Sequence, residues 1–369
     1  MEVVQTFEEI LNDLENGMPD SDEKPVIGWN CTYLPLEILE AANLQAYRVL
    51  PEPSSEKADA YLDPNFCPLI KSALGKAIEG GYAFLSGMVM VNTCDGMRRL
   101  YDAWRFYSPS PFSFLLDLPR LITPASLAYF KDQLEGLITH IDRYFGKKIT
   151  KDKLSHAVEQ SNVTRALLRR LMALQNRGNP PLRHADILDI LSAGFRKPRR
   201  IFNAALERLV HRLENAEEGP SGGLKVIVSG SVLDGSALIR MVEELGGEVV
   251  ASDLCVGGRF LEEVVLSSDP LFDLSEAYLK KRPCARMTDT GARVSLLKED
   301  VTRTGAQGVI YFCLKFCDPY LYEAPAVAEA LRQMGVPILS LEGEYTGRIS
   351  GGIRTRVQAF VEMLERHGA

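Results

Sequence analysis

The residues of this sequence best suited to chemistry are cysteines, and several of them lie where a predicted strand ends. Cys94, Cys255 and Cys317 each come just after a short apolar run rich in β-forming residues. A thiol past the carboxyl end of a buried strand points into the crevice where open α/β sheets bind their ligands. Three thiols in that position indicate a shared ligand site more than scattered members of a core.

All but one of the seven cysteines lie at the edge of a predicted element, near Gly, Pro, Asp or Thr residues. Cys313 is the exception, because it lies inside the strand run that precedes Cys317. We predict that Cys313 is a buried structural residue, which is the usual place of a free cysteine. The candidate ligands are the other six: Cys31, Cys67, Cys94, Cys255, Cys284 and Cys317.

Composition limits the classes of protein to which this chain can belong. The 369 residues are 46% hydrophobic and 25% charged with a net charge of −7, which is ordinary for a soluble globular protein. No long basic run suits nucleic acid, and no apolar stretch is long enough to span a bilayer. The acidic, amphipathic N-terminus is unlike a signal peptide. We therefore expect a cytoplasmic protein with neither nucleic acid nor a membrane as partner.

The thiols then suit metal or redox chemistry, because a reducing cytosol does not favour a disulfide framework. Structural zinc sites usually take cysteines in local CxxC pairs, and no such pair occurs in the sequence; Cys313 and Cys317 are spaced CxxxC. Ligands gathered from distant strand ends favour an iron–sulfur cluster in a crevice between domains. The alternative is that the six thiols are simply buried.

Other motifs add little. The sequence has no GxGxxG and no GxSxG, and residues 219–225 do not have the glycine spacing of a nucleotide-binding loop. The turn at residues 230–236 follows a predicted strand and opens a helix, so its amides are placed to hold an anion, although such a turn is more often only a connection. Arg98, Arg99, Arg354 and Arg356 suit phosphates, but solvated helix charges explain them equally well.

The elements that must position the cysteines form two similar series. Strands and helices alternate from residue 26 to residue 106 and again from residue 225 onward, which predicts parallel sheets and an α/β fold. Between them, residues 124–216 show apolar residues at helical spacing. The stretch 219–223 is the clearest linker. We predict a first α/β domain at 1–123, a helical connector at 124–218 and a second α/β domain at 219–369.

Seven stretches together resemble a known family. They are GWNCTYLPLEILEAA, NFCPLIKS, NTCDGMRRLYD, SDLCVGGRF, RPCARM, GVIYFCLKFCDPYLYEAP and IRTRVQAFVEML, in that order from Gly28 to Glu362. The chain resembles the iron–sulfur subunits of 2-hydroxyacyl-CoA dehydratases and ATP-dependent benzoyl-CoA reductases, and their relatives, the double-cubane cluster proteins. The KFCD and CVGGRF stretches are most similar to the benzoyl-CoA reductase branch.

The resemblance implies two Rossmann-like α/β domains plus helices, with a cluster in the crevice between the domains. It implies that Cys67, Cys94 and Cys317 hold a single 4Fe-4S cluster, and that Cys31, Cys255 and Cys284 are the three further ligands where a double cubane, 8Fe-9S, is present. Both cluster types stay open at this point.

The resemblance also implies partners and a reaction. A separate ATP-hydrolysing activator would supply low-potential electrons, the substrate would be an acyl-CoA, and the chain would form a homodimer or a heterodimer with a paralogous subunit. We expect reduction or reductive dehydration of that substrate. The alternatives are a double-cubane reductase of small molecules, a non-catalytic cluster-bearing partner of a catalytic paralogue, and a cluster-free α/β binding protein.

Overall fold

A computed structural model describes residues 2–16, 24–50, 56–175, 180–217 and 222–368. Its eight strands form two four-stranded sheets in which every pair is parallel. The first sheet has the order β2-β1-β3-β4 and the second the order β6-β5-β7-β8. The strands are β1 Val26–Trp29, β2 Gln45–Arg48, β3 Gly87–Asn92, β4 Phe112–Asp117, β5 Leu224–Gly230, β6 Gly247–Asp253, β7 Gly308–Leu314 and β8 Ile338–Gly343.

The two sheets repeat one topology. In each, the first strand of the series pairs with the second on one side and with the third on the other. The strand order therefore reverses beside the first strand, and ligands of open α/β sheets bind outside the carboxyl ends of strands at such a point. Strands β3 and β7 are buried along their whole length, so they read as continuous apolar runs without alternation. The predicted α/β class with two Rossmann-like sheets is confirmed.

Thirteen α-helices of the described residues cover and connect the sheets. They are α1 Glu2–Glu15, α2 Leu36–Ala41, α3 Pro68–Ile78, α4 Asp95–Tyr107, α5 Pro124–Phe145, α6 Lys151–Gln175, α7 His184–Gly194, α8 Arg199–Glu214, α9 Ala237–Glu244, α10 Pro270–Lys280, α11 Thr290–Thr304, α12 Asp318–Gln333 and α13 Gly351–Gly368. Two short 3₁₀ turns, Glu56–Ala60 and Gly258–Phe260, complete the elements.

The middle of the chain is helical, as its periodicity predicts. Helices α5 to α8 lie between the two strand series, and they pack against α1 and α2 on one side and against α9 and α10 on the other. One continuous apolar core runs through these helices and reaches one face of each sheet. The exact boundaries at residues 123 and 218 stay a prediction, and residues 219–221 of the proposed linker fall outside the described residues.

Several elements went unrecognised in the sequence. Strand β4 and helices α10, α11 and α12 lie outside the elements that the sequence patterns predict, and helix α7 is not distinguished within the predicted helical connector. Strand β4 is only partly buried and has prolines close to both ends, so it reads as a loop.

Within the described ranges, none of the helices combines the length and the apolar character that crossing a bilayer requires.

Candidate functional site

One cavity of about 730 Å³ opens between the carboxyl ends of the two sheets. Its volume lies within the roughly 300–1,000 Å³ that is typical of small-molecule and cofactor sites. Residues from the ends of β1, β3, β5, β6 and β7 contribute to its wall. All six candidate ligands line it: Cys31, Cys67, Cys94, Cys255, Cys284 and Cys317. The wall does not include Cys313.

Three of the cysteines occupy the same local position, since each immediately precedes a helix. Cys67 is the N-cap of α3, Cys94 is the N-cap of α4, and Cys317 is the N-cap of α12. The Sγ of Cys94 accepts a hydrogen bond from the backbone N–H of Met97 at 3.4 Å. The partial positive charge at a helix N-terminus favours a thiolate over a thiol. The fold therefore directs three helix N-termini at this cavity, each with a cysteine at its N-cap.

Within this group, Cys67 and Cys317 are hydrogen-bonded to each other. The thiol of Cys317 donates to Cys67, which lowers the pKa of Cys67, and the same bond raises the pKa of Cys317. Burial raises the pKa of the third thiol, Cys94, to about 11. Two of these three thiols thus have raised pKa values and one has a lowered pKa. A bound metal deprotonates coordinating thiols outright, so these pKa shifts describe the protein without metal.

The turn before Cys317 has a strained backbone. Phe316 has a φ of 57°, a left-handed conformation that costs a residue with a Cβ roughly 1–2 kcal/mol. Its ring is 43% exposed, so burial of the ring offsets little of that cost. Strain of this kind persists where the surrounding structure imposes it, most often at functional sites. Here it turns the chain sharply after β7 and brings Cys317 to the first turn of α12.

The other three cysteines lie in a different setting, beside buried cations. Cys255 accepts a hydrogen bond at its Sγ from Nη1 of Arg259 at 3.2 Å, and its carbonyl accepts another from Nη2 of Arg48 at 2.8 Å. Lys281 donates to the carbonyl of Thr32, next to Cys31. Burial raises the pKa of Cys31 to about 12 and lowers that of Lys281 to about 8. This end of the cavity is therefore positively charged around protonated thiols.

Cys284 is held from two sides by tyrosines. Its backbone N–H donates to the Oη of Tyr33 at 3.1 Å, and its Sγ lies 3.5 Å from the Oη of Tyr320. Cys284 lies in the loop between α10 and α11, far in sequence from any strand of the first sheet. The contact with Tyr33 therefore holds Cys284 close to the segment that follows β1.

Asp253, the last residue of β6, pairs with three arginines close to Cys255. Its carboxylate lies 2.7 Å from Arg293, 3.3 Å from Arg259 and 3.9 Å from Arg282. Burial alone raises a carboxyl pKa, but these three guanidinium groups lower that of Asp253 well below its usual range. Arg259 is thus held by a fixed anion while its Nη1 reaches the sulfur of Cys255.

The arrangement does not suit a single metal ion. In the part of the chain that the structure describes, no three His, Cys, Asp or Glu side chains are placed to hold one. A single zinc ion needs its sulfur ligands at about 2.3 Å from one point, whereas an iron–sulfur cluster carries its ligands on separate iron atoms. Six thiols spread over one cavity wall fit the second kind of centre, and the sequence argument against local CxxC zinc agrees with it.

Sequence reasoning missed the buried cations of the site. Arg48 ends a short strand whose pattern, QAYR, reads as alternating polar and apolar, and arginine is rarely fully buried. Arg259 and Lys281 lie in loops or at a helix end, where a solvated side chain is the ordinary expectation. Their proximity to Cys255 and Cys31 depends on packing between the two strand series, so no local sequence pattern predicts it.

Cys313 is the one cysteine that we predict to belong to the core and not to the candidate ligands. Its side chain is 3% exposed and packs in the core of the second sheet with Ile227 and Leu331. We predict that Cys313→Ala leaves the iron content unchanged and lowers the free energy of unfolding by about 1 kcal/mol, because only a small buried group is lost. Iron analysis and denaturant unfolding check this. A folded C313A protein that lost iron would make Cys313 a ligand.

The fold and cavity define an α/β protein in which two parallel sheets present cysteines to one ligand site. The chain belongs to the 2-hydroxyglutaryl-CoA dehydratase, D-component family, whose model matches residues 31–364. This confirms the resemblance found in the sequence.

Known relatives cover nearly the whole chain. YjiM of Escherichia coli K12, a provisionally assigned dehydratase subunit, is 29% identical over 92% of this chain and 91% of its own. A benzoyl-CoA reductase subunit of Thauera aromatica is 26% identical over 93% of this chain and 91% of its own. The (R)-phenyllactyl-CoA dehydratase beta subunit of Clostridium sporogenes is 23% identical over 92% and 91%. Relatives thus divide between reductase and dehydratase subunits.

Proposed function

We propose that this protein is an iron–sulfur enzyme, or enzyme subunit, that reduces or reductively dehydrates an acyl-CoA-type substrate with electrons from an ATP-hydrolysing activator. The observation that carries the proposal is the set of six cysteines lining one cavity at the carboxyl ends of two parallel sheets. The relatives support the reaction class, since their names assign them to acyl-CoA reductases and dehydratases.

The donor set fits the proposed group. Cys67, Cys94 and Cys317 would hold a 4Fe-4S cluster, and the additional Cys31, Cys255 and Cys284 would extend the ligand set to a double cubane, 8Fe-9S. A cluster bound there would supply single electrons at low potential. The chain itself contributes thiols at three helix N-termini, where a negative charge on sulfur is favoured.

The rest of the cavity suits an acyl-CoA. Leu69, Ile70 and Leu100 form an apolar part of the wall, which would bind an acyl chain or ring and exclude water. Arg120 and Arg286 also line the cavity, and the buried Nε of Arg286 has no hydrogen-bond partner among the described residues. Guanidinium groups without a carboxylate partner are suited to the phosphates of a CoA ester.

A second protein is part of the proposal. The sequence holds no recognisable ATP-binding loop, so ATP hydrolysis would belong to a separate activator. The relatives are themselves named as enzyme subunits. Those names favour a heterodimer with a paralogous subunit over a homodimer, and they support a second candidate function, a cluster-bearing partner of a catalytic paralogue. A double-cubane reductase of small molecules has the same ligand set.

The proposal predicts an oxygen-sensitive, brown protein whose reaction depends on ATP. Anaerobic purification should yield bound iron and acid-labile sulfide. Incubation with an ATP-hydrolysing activator, a reductant and a panel of 2-hydroxyacyl-CoA and aromatic acyl-CoA esters should consume one of them, as followed by mass spectrometry. Omitting ATP should stop the reaction.

The controls separate the candidates. Activity that appears only when a paralogous subunit is added supports the role of a cluster-bearing partner. ATP-dependent reduction of a small molecule without any acyl-CoA supports the double-cubane reductase. A folded, anaerobically prepared protein free of iron and sulfide would overturn all of these functions and leave a cluster-free binding protein.

A further inference from the structure

Arg48 is a buried charge without an anionic partner. The residue is 0% exposed. Its Nη2 donates to the carbonyl of Cys255 at 2.8 Å, while its buried Nε and Nη1 have no hydrogen-bond partner among the described residues. Arginine does not escape this cost by losing its proton. A buried charge is ordinarily paired and hydrogen-bonded, and the part of the chain that the structure describes supplies no anion to Arg48.

The walls around Arg48 offer aromatic rings in place of carboxylates. Its guanidinium carbon lies 4.9 Å from the ring centre of Trp29 and 5.6 Å from those of Phe195 and Phe260. Such rings stabilise a cation through their quadrupoles, but they supply no net negative charge. They also hold the guanidinium plane in place, because Trp29 is itself fully buried. Arg48 is therefore a fixed positive charge.

Arg48 differs from the buried arginines Arg259 and Arg293 of this region. Arg259 is paired with Asp253 at 3.3 Å. Arg293 is paired with both Asp253 and Glu323 at 2.7 Å. No ion pair of Arg48 occurs in the described residues, although Arg48 lines the same cavity as Cys31 and Cys255. Since no carboxylate of the described residues faces Arg48, we look to what the cavity binds for the negative charge.

We propose that Arg48 is a positioning residue that balances the negative charge of the iron–sulfur group at the Cys31 and Cys255 end of the cavity and thereby raises the reduction potential of that group. The inference rests on the proposed function. A nearby fixed cation favours the reduced form, which carries one more negative charge. Removing the cation therefore shifts the midpoint potential to a more negative value.

The test compares three variants, each prepared anaerobically as the full chain. Arg48→Met removes the charge and keeps an unbranched side chain, whereas Arg48→Lys keeps the charge. Arg196→Met is the matched control, because Arg196 also has an unpartnered Nε, bonds the carbonyl of Leu50 and lies over the ring of Tyr47, but does not line the cysteine cavity. Redox titration followed by visible absorption and electron paramagnetic resonance gives the midpoint potential, and iron analysis gives the occupancy.

We expect R48M to lower the potential enough to change the ratio of reduced to oxidised protein at least tenfold, which is about 59 mV for one electron. R48K and R196M should stay near the unaltered protein. If R48M instead loses iron while R48K keeps it, the proposal is supported in the same way, since the anion then lacks its counter-charge.

Three results would overturn the inference. One is an R48M protein with full iron and an unchanged potential. Another is equal iron loss from folded R48M and R48K proteins, which would mean that shape and not charge is required. The third is an unchanged potential together with a raised KM for the acyl-CoA, which would assign Arg48 to the substrate. An unaltered protein without iron would overturn the proposed function itself, so the two failures are distinguishable.

Discussion

We expect Cys94→Ser to remove most of the iron from the anaerobically prepared protein, and we expect the same of Cys67→Ser and Cys317→Ser. A serine hydroxyl stays protonated where a thiol is deprotonated by metal, so it is a far weaker ligand for iron. These three cysteines cap helices that open onto one cavity, so the loss of any one leaves an iron without its protein ligand. Iron and acid-labile sulfide are measured against protein concentration.

The same substitution should not harm the helix. Cys94 is the N-cap of α4, and its side chain already accepts the backbone N–H of Met97. Serine is among the preferred N-cap residues, so the apo form of C94S should be as stable as the unaltered apo protein or more stable by up to about 1 kcal/mol. Loss of iron with a retained or raised apo melting temperature therefore reports on ligation and not on folding.

Cys313→Ser is the matched control, since it makes the same chemical change at a thiol inside β7 that does not line the cavity. It should keep its iron while losing some stability, the reverse of the pattern expected for C94S. A C94S protein with its full complement of iron and sulfide would show that the ligand assignment is wrong.

The sequence predicts this site to the extent that local signals specify it. Apolar runs that end in a cysteine predict strands, and the carboxyl ends of parallel strands lie at one edge of a sheet. Cys94, Cys255 and Cys317 do line the cavity at these strand ends, and their role as ligands stays a prediction. The six cysteines at the edges of predicted elements all line the cavity, whereas Cys313, inside a predicted strand, does not.

What the sequence does not specify arises from contacts between distant segments. The hydrogen bond between Cys67 and Cys317 connects the N-terminus of α3 in the first series with the N-terminus of α12 in the second. The burial of Arg48 depends on Phe195 and Phe260, which lie well over a hundred residues further along the chain. Periodicity and propensity describe neighbours along the chain, so a charge buried by long-range packing has no sequence pattern.

The second group of cysteines decides the type of cluster. Cys31, Cys255 and Cys284 line the cavity together with the first three, and buried cations lie beside Cys255 and Cys31. Positive charge of this kind stabilises anionic sulfur. Cys313, by contrast, packs among apolar residues of the core of the second sheet, such as Ile227 and Leu331. We therefore predict six ligands on a double cubane, and not three ligands on a single one.

Cys255→Ser is the decisive variant. A serine at position 255 keeps an acceptor for Arg259, which also pairs with the carboxylate of Asp253, so the surrounding ion pairs should survive. If Cys255 is a ligand, the iron and sulfide content should fall to about half as one cubane is lost, whereas Cys94→Ser should remove most of the iron. Cys31→Ser and Cys284→Ser should behave like C255S.

Electron paramagnetic resonance tests the cluster type independently of the iron and sulfide content. The unaltered protein should show magnetic interaction between two clusters in its electron paramagnetic resonance spectrum, and C255S should show the simple signal of an isolated 4Fe-4S cluster. If C255S, C31S and C284S all keep the iron content and spectrum of the unaltered protein, only Cys67, Cys94 and Cys317 are ligands and the centre is a single cubane. In that case the remaining three thiols would line the part of the cavity next to the cluster, where the substrate is bound.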